Sequence, residues 1–221
     1  MRWFALTCLF FLSTAQPILA GAWLRDKGTG FIATTTTVRS VLPEPDYEVG
    51  IYADYGLTEG LNSGLDIYET PGLSGHILAF VRLPLTSPGP KSKLAVELGM
   101  GAHHLRHIWR PMYRLGVSWG YGFDTKFSPG WVAAETSIEH RDGQSGPLFK
   151  FDAIAGLSSP DRIRPMLQLE TAIGQNLPFQ WKLTPSLMIP TKGKSTWVIG
   201  IQQRSFGTIR TGLKLALWRQ F

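Results

Sequence analysis

The 221-residue chain predicts an all-β fold, an antiparallel up-and-down transmembrane β-barrel of about twelve strands. Three observations predict it. Apolar and polar residues alternate with period two through separate runs, the pattern of a strand with a different solvent on each face. Beyond residue 20 no segment approaches the roughly 18 consecutive apolar residues of a membrane helix, so hydrocarbon leaves a closed barrel as the option that pairs every backbone group. Charged residues are only 17% of the chain, against 43% hydrophobic residues, 24 Gly and 8 Trp, a composition suited to a surface facing lipid.

The first twenty residues stand apart. Arg2 is a positive n-region, residues 3–12 are an apolar h-region too short to span, and residues 13–20 are a polar, proline-containing c-region. The expected organisation is a signal peptide, 1–20, cleaved after Ala20, and one transmembrane barrel domain, 21–221. Cys8 leaves with the signal, so the mature chain has no disulfide framework and no thiolate metal site. Losing Arg2 leaves 21 Lys+Arg against 16 Asp+Glu, a mild and scattered excess of base that gives no nucleic-acid footprint.

The alternating runs are 30–40, 48–57, 61–69, 76–85, 93–103, 112–123, 131–140, 148–157, 165–174, 180–189, 196–204 and 208–221. The first holds four consecutive Thr, which leaves its two faces unassigned. In the second, Val49, Ile51, Ala53, Tyr55 and Leu57 oppose Gly50, Tyr52, Asp54 and Gly56. The third sets Leu65 and Ile67 against Asp66 and Tyr68. In the fourth, Ile77, Ala79, Val81, Leu83 and Leu85 oppose Arg82, and in the fifth Leu94, Val96, Leu98 and Met100 oppose Glu97, Gly99 and Gly101. The sixth sets Tyr113, Leu115, Val117, Trp119 and Tyr121 against Arg114, Gly116, Ser118 and Gly120.

The second half repeats the scheme. Val132, Ala134, Thr136 and Ile138 oppose Glu135 and Glu139 in the seventh run; Phe149, Phe151, Ala153 and Ala155 oppose Lys150 and Asp152 in the eighth. Leu167, Leu169 and Ile173 oppose Gln168 and Glu170 in the ninth, and Trp181, Leu183, Leu187 and Ile189 oppose Lys182, Thr184 and Ser186 in the tenth. Trp197, Ile199 and Ile201 oppose Gly200, Gln202 and Arg204 in the eleventh; Leu213, Leu215, Leu217 and Phe221 oppose Lys214, Ala216 and Trp218 in the last. The residues after 20 divide into about 17 per strand and connector, room for a spanning strand of about 9–11 and a short turn. Pro84 and Pro185 fall inside runs and are expected at a rim or a bulge.

The last strand ends on an aromatic residue, Phe221, preceded by the alternation from Leu213 to Trp218. This ending resembles the C-terminal signature of Gram-negative outer-membrane β-barrel proteins. The resemblance implies an outer-membrane location, Phe221 as an assembly signal read by the barrel-assembly machinery, and contact with outer-membrane lipid and lipopolysaccharide. Arg219 departs from the apolar pattern, at a place where its side chain can snorkel to headgroups. Residues 55–66 resemble a hairpin common in small proteobacterial outer-membrane proteins, and residues 21–28 resemble the opening of one family of such barrels, a likeness that carries no activity.

In such a barrel the apolar face points outward and the polar face into the lumen. Tyr113, Trp119, Tyr121, Trp131, Trp181 and Trp197 lie near run ends, where interface girdles belong. The expected lumen lining is Asp54, Asp66, Arg82, Glu97, Arg114, Glu135, Glu139, Lys150, Asp152, Glu170, Lys182 and Arg204, with Lys214. Seven acids and six bases nearly cancel. They suit either a narrow porin-like channel for polar solutes or a structural network that plugs the lumen of a structural, adhesin or receptor-type barrel. Twelve-stranded relatives by size include small porins for acidic oligosaccharides with strongly basic lumens; the mixed lumen here does not carry that substrate over.

No chemistry competes for these residues. His103, His104 and His107, with Arg106 and Arg110, are expected in an exposed connector, where the bases could meet lipopolysaccharide phosphates; no carboxylate lies near in sequence to complete a metal site. Ser137 and His140, three apart on a strand, point to opposite faces. No catalytic residue, metal site, cofactor or enzymatic activity is expected; the oligomeric state is left open.

Overall fold

A computed structural model describes residues 21–40, 46–85, 89, 91–126, 128–159, 162–191 and 193–221. The expected signal peptide lies outside them. Among the described residues the chain forms β1 (Gly30–Ser40), β2 (Asp46–Thr58), β3 (Leu61–Thr70), β4 (Ser74–Leu85), β5 (Ser92–Leu105), β6 (Ile108–Asp124), β7 (Pro129–Arg141), β8 (Leu148–Leu157), β9 (Arg164–Gly174), β10 (Leu177–Pro190), β11 (Ser195–Arg204) and β12 (Thr211–Gln220). Each pairs antiparallel with its neighbours in sequence, and β1 pairs with β12 to close the barrel. Closure leaves no edge strand with unpaired backbone groups.

Both ends of the barrel chain meet at one rim, called proximal here. There Gly30 donates its N–H to the Phe221 carbonyl at 2.8 Å, and Phe221 donates back to Gly30 at 3.0 Å. The Phe221 ring lies where a Cβ on residue 30 would stand, so glycine makes room for the terminal aromatic at the closing seam.

Side chains are sorted by the pleat. Large apolar residues are exposed on the outer surface of every strand from β2 to β12, among them Leu98, Val117, Phe151, Leu167, Leu187, Ile199 and Leu215. Charged and polar residues are buried inside, among them Asp54, Arg82, Glu97, Arg114, Glu139 and Arg204. A water-soluble monomer rarely shows a contiguous apolar patch beyond a few hundred Å². In β1 the ambiguous Thr run resolves: Thr37 is buried and Thr34 is exposed.

Three expectations are corrected. His103, His104 and Arg110 are not in a connector: β5 and β6 extend until only Arg106 and His107 are left as the turn, with φ of 47° and 68°. Positive φ at both central residues suits the twist of a two-residue hairpin. Trp131 is not a girdle residue. It shares the parity of Ala133 and Glu135, faces inward and is 2% exposed. Pro185 sits at neither rim nor bulge. It stays in register opposite Leu167, while the β10–β11 ladder skips Thr184 and Pro185 without slipping.

Candidate functional site

The candidate site is the lumen, and cross-strand register builds it. Arg82 on β4 is directly opposite Glu97 on β5, and the two are ion-paired. Arg82 also donates to the Tyr52 hydroxyl at 3.0 Å and lies 3.8 Å from Asp54 and 3.9 Å from Glu135. Glu97 faces Gly116 and Arg114 faces Gly99, so neither partner position carries a side chain. Arg114 therefore crosses diagonally to Glu97 at 2.9 Å and reaches Asp66 at 2.7 Å. Glu139, directly opposite Arg114, takes Arg141 at 2.7 Å and Lys150 at 3.2 Å. From β3 to β7, Asp66, Arg82, Glu97, Arg114 and Glu139 thus alternate in charge along one side of the barrel.

A second network bridges the lumen near the distal rim. Lys182 on β10 reaches Glu48 on β2 at 2.7 Å, although three strands separate them around the closed ring. Arg204 on β11 and Arg39 on β1 converge on Glu48 and Asp46 at 2.6–3.4 Å. Each acid thus has basic partners, which is what a desolvated charge requires.

Between these networks lies a cavity of about 600 Å³ that runs from Gly21 and Trp131 to Gln180 and Phe206. Its wall carries a row of acids in register, Glu135, Asp152 and Glu170 on β7, β8 and β9. The row continues in the same register as bases, Lys182 on β10 and Arg204 on β11. Asp152 accepts the Thr171 N–H at 3.3 Å, and the Glu170 Oε2 is buried without a hydrogen-bond partner. Asp66, Arg82, Glu97, Arg114 and Lys150 also border the cavity, whereas Asp54 and Glu139 are buried behind it. Lys214 borders it and donates to Gln168 at 3.0 Å.

On the β7–β12 side, the proximal half is apolar. Trp131, Ala133, Ile154, Met166, Met188, Val198 and Ala216 form a buried cluster, with Trp23 and Trp218 packed against it. These residues share the parity of the polar side of each strand, and parity identifies a face and not its chemistry. Glu48 could have been found by its shared parity with Asp54. Arg25 lies in no run and had no such signal.

The histidines take internal partners. On the outer face, a Cβ at residue 75 would strike both Glu69 and His104, so Gly75 lets those side chains meet across β4 at 2.7 Å. The other ring nitrogen, Nδ1, accepts the His107 N–H at 3.4 Å, so both nitrogens of His104 are engaged. His103 Nε2 is 3.1 Å from the Asp142 carbonyl. Among the described residues no three His, Cys, Asp or Glu are grouped as metal ligands. Ser137 is buried on the inside, while His140 is exposed and stacks on Tyr113. At the proximal rim, a hydrogen bond to Asp124 holds the exposed Lys91 ammonium above its ordinary pKa.

No protein-family model matches the chain, and no curated protein matches it either. Among solved structures it is similar to a KdgM porin in complex with disordered oligogalacturonate, with a TM-score of 0.59 at 8% identity, over 86% of this chain and 99% of the porin. Outer-membrane expressed OmpT of Vibrio cholerae gives 0.44 at 5% identity over 90% and 99% of the two chains. Its loop L8 deletion mutant gives 0.40 at 6% over 87% and 98%. The two OmpT scores are too low to argue from. The first likeness is one of fold: the closed, antiparallel, twelve-stranded barrel of this chain is similar in shape to that porin over nearly the porin's whole length.

Proposed function

We propose that the chain is a non-enzymatic outer-membrane barrel, exported with residues 1–20 as a cleaved signal, whose lumen is a narrow porin-like channel for small polar solutes. The observation that carries this reading is the charged cavity of about 600 Å³ enclosed by a barrel whose exterior is apolar. The acid row on β7–β9 and the bases on β10 and β11 set opposite charges side by side on the wall, which favours solutes able to satisfy both signs. Arg106 and His107 form the turn between β5 and β6, and in this reading they are the bases that meet lipopolysaccharide phosphates.

Planar-bilayer recording tests it. The purified barrel is expected to give a small, stable conductance, and Asp152→Asn with Glu170→Gln is expected to shift its selectivity towards anions. A correctly folded barrel that stays silent, or whose selectivity ignores those substitutions, would contradict the channel. The second reading, a barrel with a plugged lumen and no transport, is favoured by one specific observation: Trp23 packs into the apolar cluster of the proximal half.

A further inference from the structure

Residues 21–29 belong to no strand, yet they are tied at several points to the inside of the proximal mouth. Gly28 donates to the Gly56 carbonyl at 2.9 Å, and Gly56 donates to the Thr29 carbonyl at 3.0 Å. Arg25 pairs with Asp54 at 2.8 Å and stacks 4.7 Å from the Phe31 ring centroid. Trp23 lies against Gly120 so closely that any Cβ there would overlap its ring. Ala22 is 1% exposed. The segment therefore starts beside β1 and β2 and ends against β6 and β7, on the opposite side of the ring of twelve.

At its inner end, Gly21 lies beside two groups able to accept a hydrogen bond from an ammonium, one of them an acid. A Cβ built on Gly21 would stand 3.0 Å from the Glu135 Oε2 and 3.5 Å from the Ser118 Oγ. Ser118 is directly opposite Glu135 in the β6–β7 register, and it is 3% exposed with a hydroxyl that has no hydrogen-bond partner. Glu135 has Arg82 only at 3.9 Å, and that guanidinium is already paired with Glu97. Its neighbour on β8 is another acid, Asp152. A carboxylate and an unsatisfied hydroxyl thus face the chain at the residue where signal cleavage would leave a primary ammonium with three donors.

We infer that Ser118 and Glu135 form a binding site for the chain's own α-ammonium at Gly21, and that filling this site locks residues 21–29 across the proximal mouth. The inference rests on the proposed cleavage after Ala20. Before cleavage, residue 21 offers one neutral amide N–H; afterwards it offers a full charge and two more donors. Processing itself therefore completes the lock and leaves a narrow mouth.

The test is acylation of the α-amine in the purified, folded barrel near neutral pH, where an α-amine reacts ahead of lysine. Mass spectrometry follows the Gly21 peptide before and after unfolding in urea. Labelling in the folded protein is expected to be slower by about tenfold or more, the factor that ~1.4 kcal/mol of protection supplies. Glu135→Gln should lose most of that protection while keeping heat-modifiable migration on gels, and Glu135→Asp should keep part of it. If Glu135→Gln does not assemble, Ser118→Ala provides the comparison, with partial loss expected. Equal labelling of folded and unfolded wild type, or full protection in the assembled variants, overturns the site. An intact mass that begins at a residue other than Gly21 overturns the processing reading instead, and is read without any labelling.

Discussion

Glu97→Leu is expected to destabilise the barrel by about 3–5 kcal/mol, the usual loss when one partner is removed from a buried ion pair. Glu97 is 2% exposed and is shared by two guanidinium groups, Arg82 and Arg114. Replacing it with leucine leaves both arginines inside with one fewer acid. Their remaining partners do not make up the loss: Arg82 lies 3.8–3.9 Å from Asp54 and Glu135, and Arg114 keeps Asp66 and the more distant Glu139. The leucine itself fits no unmet need, since Glu97 faces Gly116 in register and the space there serves the crossing of Arg114. Urea unfolding in lipid vesicles, followed by the gel-mobility difference between folded and unfolded forms, measures the loss. An unchanged midpoint would mean that the wall network does not hold the lumen together.

Val117→Arg is expected to cost about 2–4 kcal/mol if position 117 lies at the bilayer midplane, because an outward guanidinium there must be carried into hydrocarbon. Val117 is 40% exposed, lies mid-strand on β6 and is paired with Val96 and Thr136. The same substitution at Ser118, one residue away, reverses the side to which the charge points. Comparing Val117→Arg with Val117→Leu in the vesicle assay isolates the charge from the change in volume. A cost near zero for arginine would mean that the outer surface meets water.

Much of the architecture was legible because a barrel strand repeats one instruction. Leu98 beside Glu97, Val117 beside Ser118 and Phe151 beside Asp152 each state the two faces, and the closed sheet of β1 to β12 follows from stringing such pairs between short turns. What alternation cannot carry is the chemistry of an inward position. Trp131, Met166, Met188 and Val198 share the lumen side with Glu135, Gln168, Ser186 and Gly200, and only packing reveals that they fill the β7–β12 side of the proximal half. Connectors misled for a related reason. The stretch from His104 to Pro111 lacks clear alternation, yet β5 and β6 continue through it as a hairpin closed by Arg106 and His107. Its backbone ladder does not depend on side-chain pattern, and Gly75 supplies the room for the Glu69–His104 contact from a neighbouring strand. Long-range pairing was equally invisible. Nothing local to Glu48 announces Lys182, which is 134 residues away and arrives across the lumen. The same holds for residues 21–29, whose place inside the mouth needs the space that a glycine at 120 leaves for Trp23.

The central claim is the inversion of the barrel, with apolar side chains towards lipid and charges within. Cysteine placed singly at each of residues 113–118 on β6, in a chain whose one native cysteine, Cys8, lies in the segment proposed to be cleaved, carries a fluorescent probe to each face in turn. In vesicles, probes at 113, 115 and 117 are expected to be quenched by lipid-borne quencher and spared by a water-soluble one, while probes at 114, 116 and 118 escape the lipid-borne quencher. Quenching in the opposite phase, or with no period of two, would contradict the account.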